Sequence, residues 1–182
     1  MKLWLVRHAQ VALPEGRCYG ASDVPVQPGA SRLAAAQLVR QWPAGLTIWY
    51  SPLSRCELLA HALQAFEPGF MLKPDPRLRE LDFGAWEGQA WSDIGRQAID
   101  AWLADFAHAR PGGHGESVAA LMQRVAAAFD DWRAGGRDAV WVTHAGVIRA
   151  ALLIAGGQRS LQRADEWPAA SIAFGGVQAI EV

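Results

Sequence analysis

Cysteine is scarce in these 182 residues: only Cys18 and Cys56 occur. They lack the paired spacing of a metal site, and with no secretory segment visible they read as free thiols in a reducing compartment, so the cytoplasm is the expected location. Long hydrophobic runs are missing as well. The apolar stretch from Met1 to Val6 is cut off by Arg7-His8, too short for a signal-peptide core or a membrane span, and no membrane partner is expected. Charge of one sign is not in excess either. A net charge of −1 excludes a broad basic surface for nucleic-acid backbone, so no nucleic-acid partner is expected and any cationic site must be local. No repeat, low-complexity tract or interdomain linker interrupts the chain. With 51% hydrophobic residues it can bury a full core, and residues 1–182 are expected to form one domain.

What is present is a pair of similar strings at opposite ends. Leu5-Val6-Arg7-His8-Ala9 and Val142-Thr143-His144-Ala145-Gly146 each deliver a histidine at the end of a short apolar run. Leu3 to Val6 and Ala139 to Val142 fit buried strands of an α/β sheet, whose ligand sites lie beyond the strands' carboxyl ends. His8 and His144 should therefore emerge side by side. Between them the pattern alternates. Residues 8–28, rich in proline, glycine and polar residues, read as a long functional loop covering the sheet edge. Gly29 to Trp42 reads as a helix and Leu46 to Tyr50 as a strand. Ser51 is placed as a helix cap with Pro52 at the first helical position, which sets Arg55 in a first turn whose free N–H groups favour an anion. A short strand is expected within 70–80. Two helices follow, marked by the apolar stripes Ile99, Trp102, Leu103, Phe106 and Val118, Leu121, Met122, Val125, Phe129, Trp132. Val147 to Ala155 reads as a helix, and the tail, 171–174 with 177–182, as a hairpin.

The chemistry resides in five polar residues. Two histidines (His8, His144), two arginines (Arg7, Arg55) and a carboxylate (Glu80) stand at strand ends or in adjoining loops, a set that suggests phosphoryl transfer. A phosphate monoester carries close to two negative charges, and its transition state spreads charge over three oxygens, so a guanidinium fork is a natural clamp. A neutral imidazole can attack phosphorus in line, and neighbouring cations keep it neutral. A carboxylic acid is then needed to protonate the leaving oxygen; Glu80 reaches further than Asp82.

With these residues in place the chain resembles the histidine phosphatase superfamily, the phosphoglycerate mutase-like fold, and more narrowly the α-ribazole phosphatases of cobalamin assembly. The likeness rests on Leu5-Val6-Arg7-His8, Tyr19-Gly20 through Asp23-Val24-Pro25, Ser51-Pro52-Leu53-Ser54-Arg55, Glu80-Leu81-Asp82-Phe83-Gly84-Ala85-Trp86-Glu87-Gly88, Gly115-Glu116-Ser117 and His144-Ala145-Gly146-Val147-Ile148-Arg149. The resemblance implies a three-layer α/β/α sandwich with a mostly parallel central sheet. It implies a nucleophile at His8, phosphate ligands at Arg7, Arg55 and His144, a proton donor at Glu80, and no metal or cofactor. The implied substrate is a small phosphate monoester, α-ribazole 5′-phosphate or adenosylcobalamin 5′-phosphate. A broad sugar phosphatase or phosphoglycerate mutase of the same fold, and an idle phosphate-binding module, are the alternatives. Three departures stand in the first loop: Ala9 replaces a usual glycine, Val11 a hydroxyl residue and Pro14 an asparagine, which removes polar ligands there.

Tyr19, Trp86 and Trp91 are candidates for contact with the substrate. The two tryptophans follow Phe83-Gly84, where their rings could stack on a planar leaving group or equally pin the loop to the core. Arg149, one helical turn beyond His144, is read as supporting the sheet end. His114 lies in a glycine-rich loop, while His61 and His108 read as solvated or structural.

Overall fold

The computed structural model describes residues 1–182. Its centre is the strand β4 (Ala139–Thr143), buried at all five positions as befits a strand covered on both faces. For numbering in chain order, β1 is Lys2–Arg7, β2 Thr47–Tyr50, β3 Met71–Pro74 and β5 Val177–Glu181. The sheet order is β3-β2-β4-β1-β5. β1 to β4 run parallel, and only β5 is antiparallel, beside β1. Five helices accompany them: α1 (Ala30–Leu38), α2 (Ser54–Phe66), α3 (Arg96–Ala104), α4 (Val118–Gly135) and α5 (Ala145–Ala155).

Alternation along the strands divides the apolar residues between two faces. Leu3, Leu5, Ala139 and Trp141 join Leu121, Val125 and Phe129 of α4 and Val147, Ile148 and Ala151 of α5 in one core. Val6, Ile48, Tyr50, Val140 and Val142 join Ala35 and Leu38 of α1 and Cys56, Leu59 and Leu63 of α2 in the other. The result is the expected mixed α/β fold with helices on both sides. α4 is the clearest case of sequence dictating an element: its apolar stripe runs between Ser117, whose Oγ accepts from Ala120 N, and Gly136, at φ 64°. No helix is long and apolar enough to cross a membrane.

Four local expectations are corrected. α1 ends at Leu38 and continues only as a 3₁₀ turn over Val39–Gln41. α2 begins at Ser54, so neither Ser51 caps it nor Pro52 opens it. Its first turn is capped from elsewhere: Asp23 Oδ1 accepts from Ser54 N at 3.0 Å and Ser54 Oγ at 2.6 Å. The tail is not a hairpin. Residues 171–174 are in no strand, and β5 pairs with β1 instead. Finally, the 8–28 loop does not cover a sheet edge: it hydrogen-bonds to Arg55, Glu87 and Gln89 over the carboxyl ends of the strands.

Candidate active site

Because β1 and β4 are parallel neighbours with Arg7 opposite Thr143, the residues that follow them are aligned. His8 N donates to Thr143 O at 2.9 Å. The two imidazoles stand with centroids 5.2 Å apart, and both are buried. Their tautomers follow from their partners. His8 Nδ1 faces the Ala9 carbonyl at 2.8 Å and must donate to it, leaving Nε2 without a proton. Arg55 Nε donates to His144 Nδ1 at 3.3 Å, so the proton of His144 is on Nε2 and goes to Ser51 Oγ at 2.8 Å. Burial, then the Arg55 charge, brings the pKa of His8 down to about 3, and the same two causes hold His144 well below its ordinary range. Both rings are neutral near pH 7.

Arg55, the second residue of α2, is fully buried. Three of its five N–H groups are spent, on His144 Nδ1, Ser22 O (2.7 Å) and Gly20 O (2.5 Å), and the other two remain for a ligand. Arg7 lies with its guanidinium 3.8 Å from the centroid of the Phe174 ring and its Nη1 on Ile172 O at 2.6 Å. Its buried Nε has no partner, a donor that an anion would satisfy. Tyr19 faces both arginines; burial raises its phenol pKa while the two cations oppose the shift.

Glu80, in the loop beyond β3, reaches the start of α5. Its Oε2 accepts from Gly146 N and its Oε1 from its own neighbour Leu81 N, each at 3.0 Å. A Cβ at residue 146 would overlap the carboxylate, so Glu80 holds this position only while residue 146 is glycine. Glu80 borders two cavities. One, of about 300 Å³, is apolar and lined by Phe83, Trp102, Phe106 and Trp167, with Arg149 at its wall. The other, of about 400 Å³, is polar and holds Arg79, Arg110 and His114.

The structure thus gathers His8, His144, Arg7, Arg55 and Tyr19 around one point, with the Glu80 carboxylate seated against the start of α5. It does not bring Trp86 and Trp91 there. Trp86 is buried with Cys18 and Ile94, and both rings sit edge-on within a cluster with Phe83 and Trp102, so they pin the loop, and neither lines the cavities that Glu80 borders. Arg149 does more than was expected: besides donating to Ala170 O it lines the apolar cavity, and His114 lines the polar one. His61 and His108 are exposed. Val11, in place of a hydroxyl, is buried and bridges to Val26. Cys56 is no nucleophile, because burial raises its thiol pKa and Sγ donates to Thr143 O. No group of three or more His, Cys, Asp or Glu side chains could hold a metal ion.

Sequence reasoning missed three supporting residues. Ser51 holds His144, and Phe174 stacks on Arg7 with its ring centroid 5.5 Å from that of His8. The third is Glu87, whose carboxylate accepts from four backbone N–H groups. Glu87 and Ser51 each had a signal, their places in the Trp86-Glu87-Gly88 and Ser51-Pro52-Leu53-Ser54-Arg55 strings, while Phe174 had none.

Comparison with known proteins shows the family and the fold. The model of the histidine phosphatase superfamily (branch 1) matches residues 3–173. Two relatives named probable phosphoglycerate mutase GpmB, from Yersinia enterocolitica and Proteus mirabilis, are 31% and 32% identical over 135 and 136 residues. Each match takes in 71% of this chain and 62% of the relative, so the chain spans less than two thirds of their length. The crystal structure of TTHB049 from Thermus thermophilus is 32% identical with a TM-score of 0.71, over 98% of this chain and 92% of that one. A mycobacterial glucosyl-3-phosphoglycerate phosphatase in complex with VO3 is 26% identical with a TM-score of 0.81, over 98% and 90%.

Proposed function

This chain belongs to the histidine phosphatase superfamily, and from that premise we propose that it is a phosphomonoesterase working through a phosphohistidine on His8. The observation that carries this is the state of His8: its Nδ1 proton is committed to Ala9 O and its Nε2 lone pair is free on a neutral ring. In the first step Nε2 bonds to phosphorus as the ester P–O bond breaks, and a protonated Glu80 gives its proton to the leaving oxygen. Arg7 and Arg55 hold the phosphoryl oxygens, whose charge the two guanidinium forks match, and His144 is a third donor to them once its Nε2–H turns from Ser51 Oγ to the phosphoryl group. In the second step water attacks phosphorus, Glu80 takes the water's proton, and the P–N bond breaks to free inorganic phosphate and restore His8.

For the substrate, the resemblance to α-ribazole phosphatases and the aromatic cavity beside Glu80 support α-ribazole 5′-phosphate or adenosylcobalamin 5′-phosphate, with the flat base of the leaving group among Phe83, Trp102, Phe106 and Trp167. A second reading is a phosphorylated sugar or glycerate. It is favoured by the polar cavity with Arg79, Arg110 and His114 on the other flank of Glu80, and by the names of the relatives.

The test is phosphate release from p-nitrophenyl phosphate with chelator present, together with trapping of acid-labile, base-stable phosphate on the protein. Wild type should do both and His8→Ala neither; full activity in His8→Ala refutes the assignment. kcat/KM for α-ribazole 5′-phosphate against 3-phosphoglycerate then separates the two substrate readings. Binding of phosphate without turnover of any ester selects an idle module.

A further inference from the structure

Arg55 is buried and forms no ion pair with a carboxylate, so its orientation depends on neutral acceptors: the carbonyls of Gly20 and Ser22 and the ring of His144. Two of these three belong to an irregular loop that has no strand or helix to hold it. Asp23 fastens it to Ser54 on one side and Cys18 to Gln89 on the other, and between them what holds Gly20 to Ser22 is Glu87. Its Oε2 accepts from Gly20 N at 3.0 Å and Ser22 N at 3.2 Å, and its Oε1 from Ala21 N and Phe83 N, both at 3.0 Å. Three successive backbone donors thus point at one carboxylate, a concave arrangement that in other settings receives a free anion. Here the protein fills it with its own side chain. One peptide group joins the carboxylate to the arginine directly: the planar unit between residues 20 and 21 donates its N–H to Glu87 Oε1 and accepts from Arg55 Nη2 at its C=O. Turning that plane breaks both bonds together. The loop has little freedom to find another pose, because Gly20 is seated so closely on the Leu81 carbonyl that a Cβ would overlap it.

We propose that Glu87 is a positioning residue for phosphate binding: through the backbone of Gly20 to Ser22 it fixes the carbonyls that aim the two free N–H groups of Arg55 at the phosphoryl oxygens. This rests on the reading of Arg55 as a phosphate ligand, and it assigns Glu87 no contact with the substrate. Glutamine at this position keeps the size but puts an NH2 donor against backbone donors, so two of the four bonds are lost whichever way the amide turns: those from Ala21 and Phe83, which frees the 20–21 peptide, or those from Gly20 and Ser22, which frees the peptides on either side of it.

The experiment is a double-mutant cycle on orthovanadate binding, measured by calorimetry, with wild type, Glu87→Gln, Arg55→Lys and the double variant. Loss of a supporting partner of this kind costs about 10- to 100-fold, by analogy with groups that orient metal ligands. Glu87→Gln should weaken vanadate by that factor in the native background and by no more than about twofold in the Arg55→Lys background, where no guanidinium remains to be aimed. A purely structural role gives equal losses in both backgrounds, and that result overturns the proposal. Glu87→Asp keeps the charge and should recover part of the affinity; it also replaces Glu87→Gln in the cycle if thermal melting shows that the glutamine protein does not fold. If wild type binds vanadate but hydrolyses no ester, the proposed enzymatic function fails while the cycle still decides the role of Glu87. If wild type binds no vanadate, both fall.

Discussion

Gly146→Ala should leave this protein as stable as before, or more so, while slowing its hydrolysis of alkyl phosphates. Gly146 is the second residue of α5, and its amide donates to Glu80 Oε2 at 3.0 Å. A Cβ added there overlaps Glu80 Oε1 and stands 3.1 Å from the carboxyl carbon. The obstructing group is the end of a flexible side chain, so it retreats by about 1 Å to regain ordinary van der Waals distance. The helix itself gains: alanine in place of a helical glycine is worth about 0.5–1 kcal/mol. A carboxyl displaced by about 1 Å can cost on the order of 100-fold in rate, which is about 2.7 kcal/mol on the barrier. The loss should depend on the leaving group, because an alkoxide needs a proton as its bond breaks and a nitrophenolate leaves with little help. Single-turnover bursts with an alkyl phosphate and with p-nitrophenyl phosphate, beside thermal melts of both proteins, read the three quantities. Equal bursts for wild type and Gly146→Ala on the alkyl ester, or equal losses on both esters, would show that Glu80 is not the leaving-group acid.

The two arginines should not tolerate lysine. Arg7→Lys and Arg55→Lys keep the charge but lose the planar fork, and each should cost about 2–4 kcal/mol of transition-state stabilisation, read as kcat/KM. Stability should fall with acid. Since His8 titrates near 3 when folded against an ordinary 6.5, the unfolded chain binds a proton that the folded chain refuses; the stabilisation is whole above pH 6.5 and is lost as pH falls toward 3, by at most about 1.4 kcal/mol per pH unit. Melts in a pH series should show this slope, and because His144 is held low by the same causes and contributes a loss of the same sign, His8→Gln should lessen it without abolishing it. Trp102→Ala, at the wall of the apolar cavity, should weaken α-ribazole 5′-phosphate more than p-nitrophenyl phosphate by KM; equal effects would argue against that cavity as the leaving-group site.

How far the sequence could be read depended on the range of the interactions concerned. β4 and α4 carried their own signals, a buried run and an apolar stripe with a serine before it and a glycine after it, and both formed where the pattern placed them. The adjacency of His8 and His144 was also legible, because a histidine following a strand in a parallel sheet has few places to go. The start of α2 was not. Ser51 and Pro52 make a plausible local cap, but the carboxylate that caps Ser54 is Asp23, thirty-one residues away. The tail failed for a similar reason: Ser171 to Phe174 is apolar enough for a strand, yet the following glycines turn the chain so that Gly175 N meets Arg7 O and His8 O, and Phe174 comes to lie on Arg7. The aromatic loop was ambiguous in principle, since a tryptophan's volume is useful both to a ligand and to a core, and here Trp86 went to the core.

The position of β1 in the sheet governs when the protein can begin to work. Leu3 finds its neighbours at Ala139 on one side and at Ile180 on the other, so this strand leaves the ribosome well before either partner and stays unpaired until most of the domain has followed it. Such long-range closure slows folding and leaves an apolar strand waiting in solvent or on a chaperone. Arg7 is held in place only when Ile172 and Phe174 arrive from the distant end of the chain. Nascent chains lacking that segment would therefore hold every polar residue of the site in their sequence and still have no assembled anion pocket, and phosphate-analogue binding to stalled chains of increasing length would appear abruptly and late.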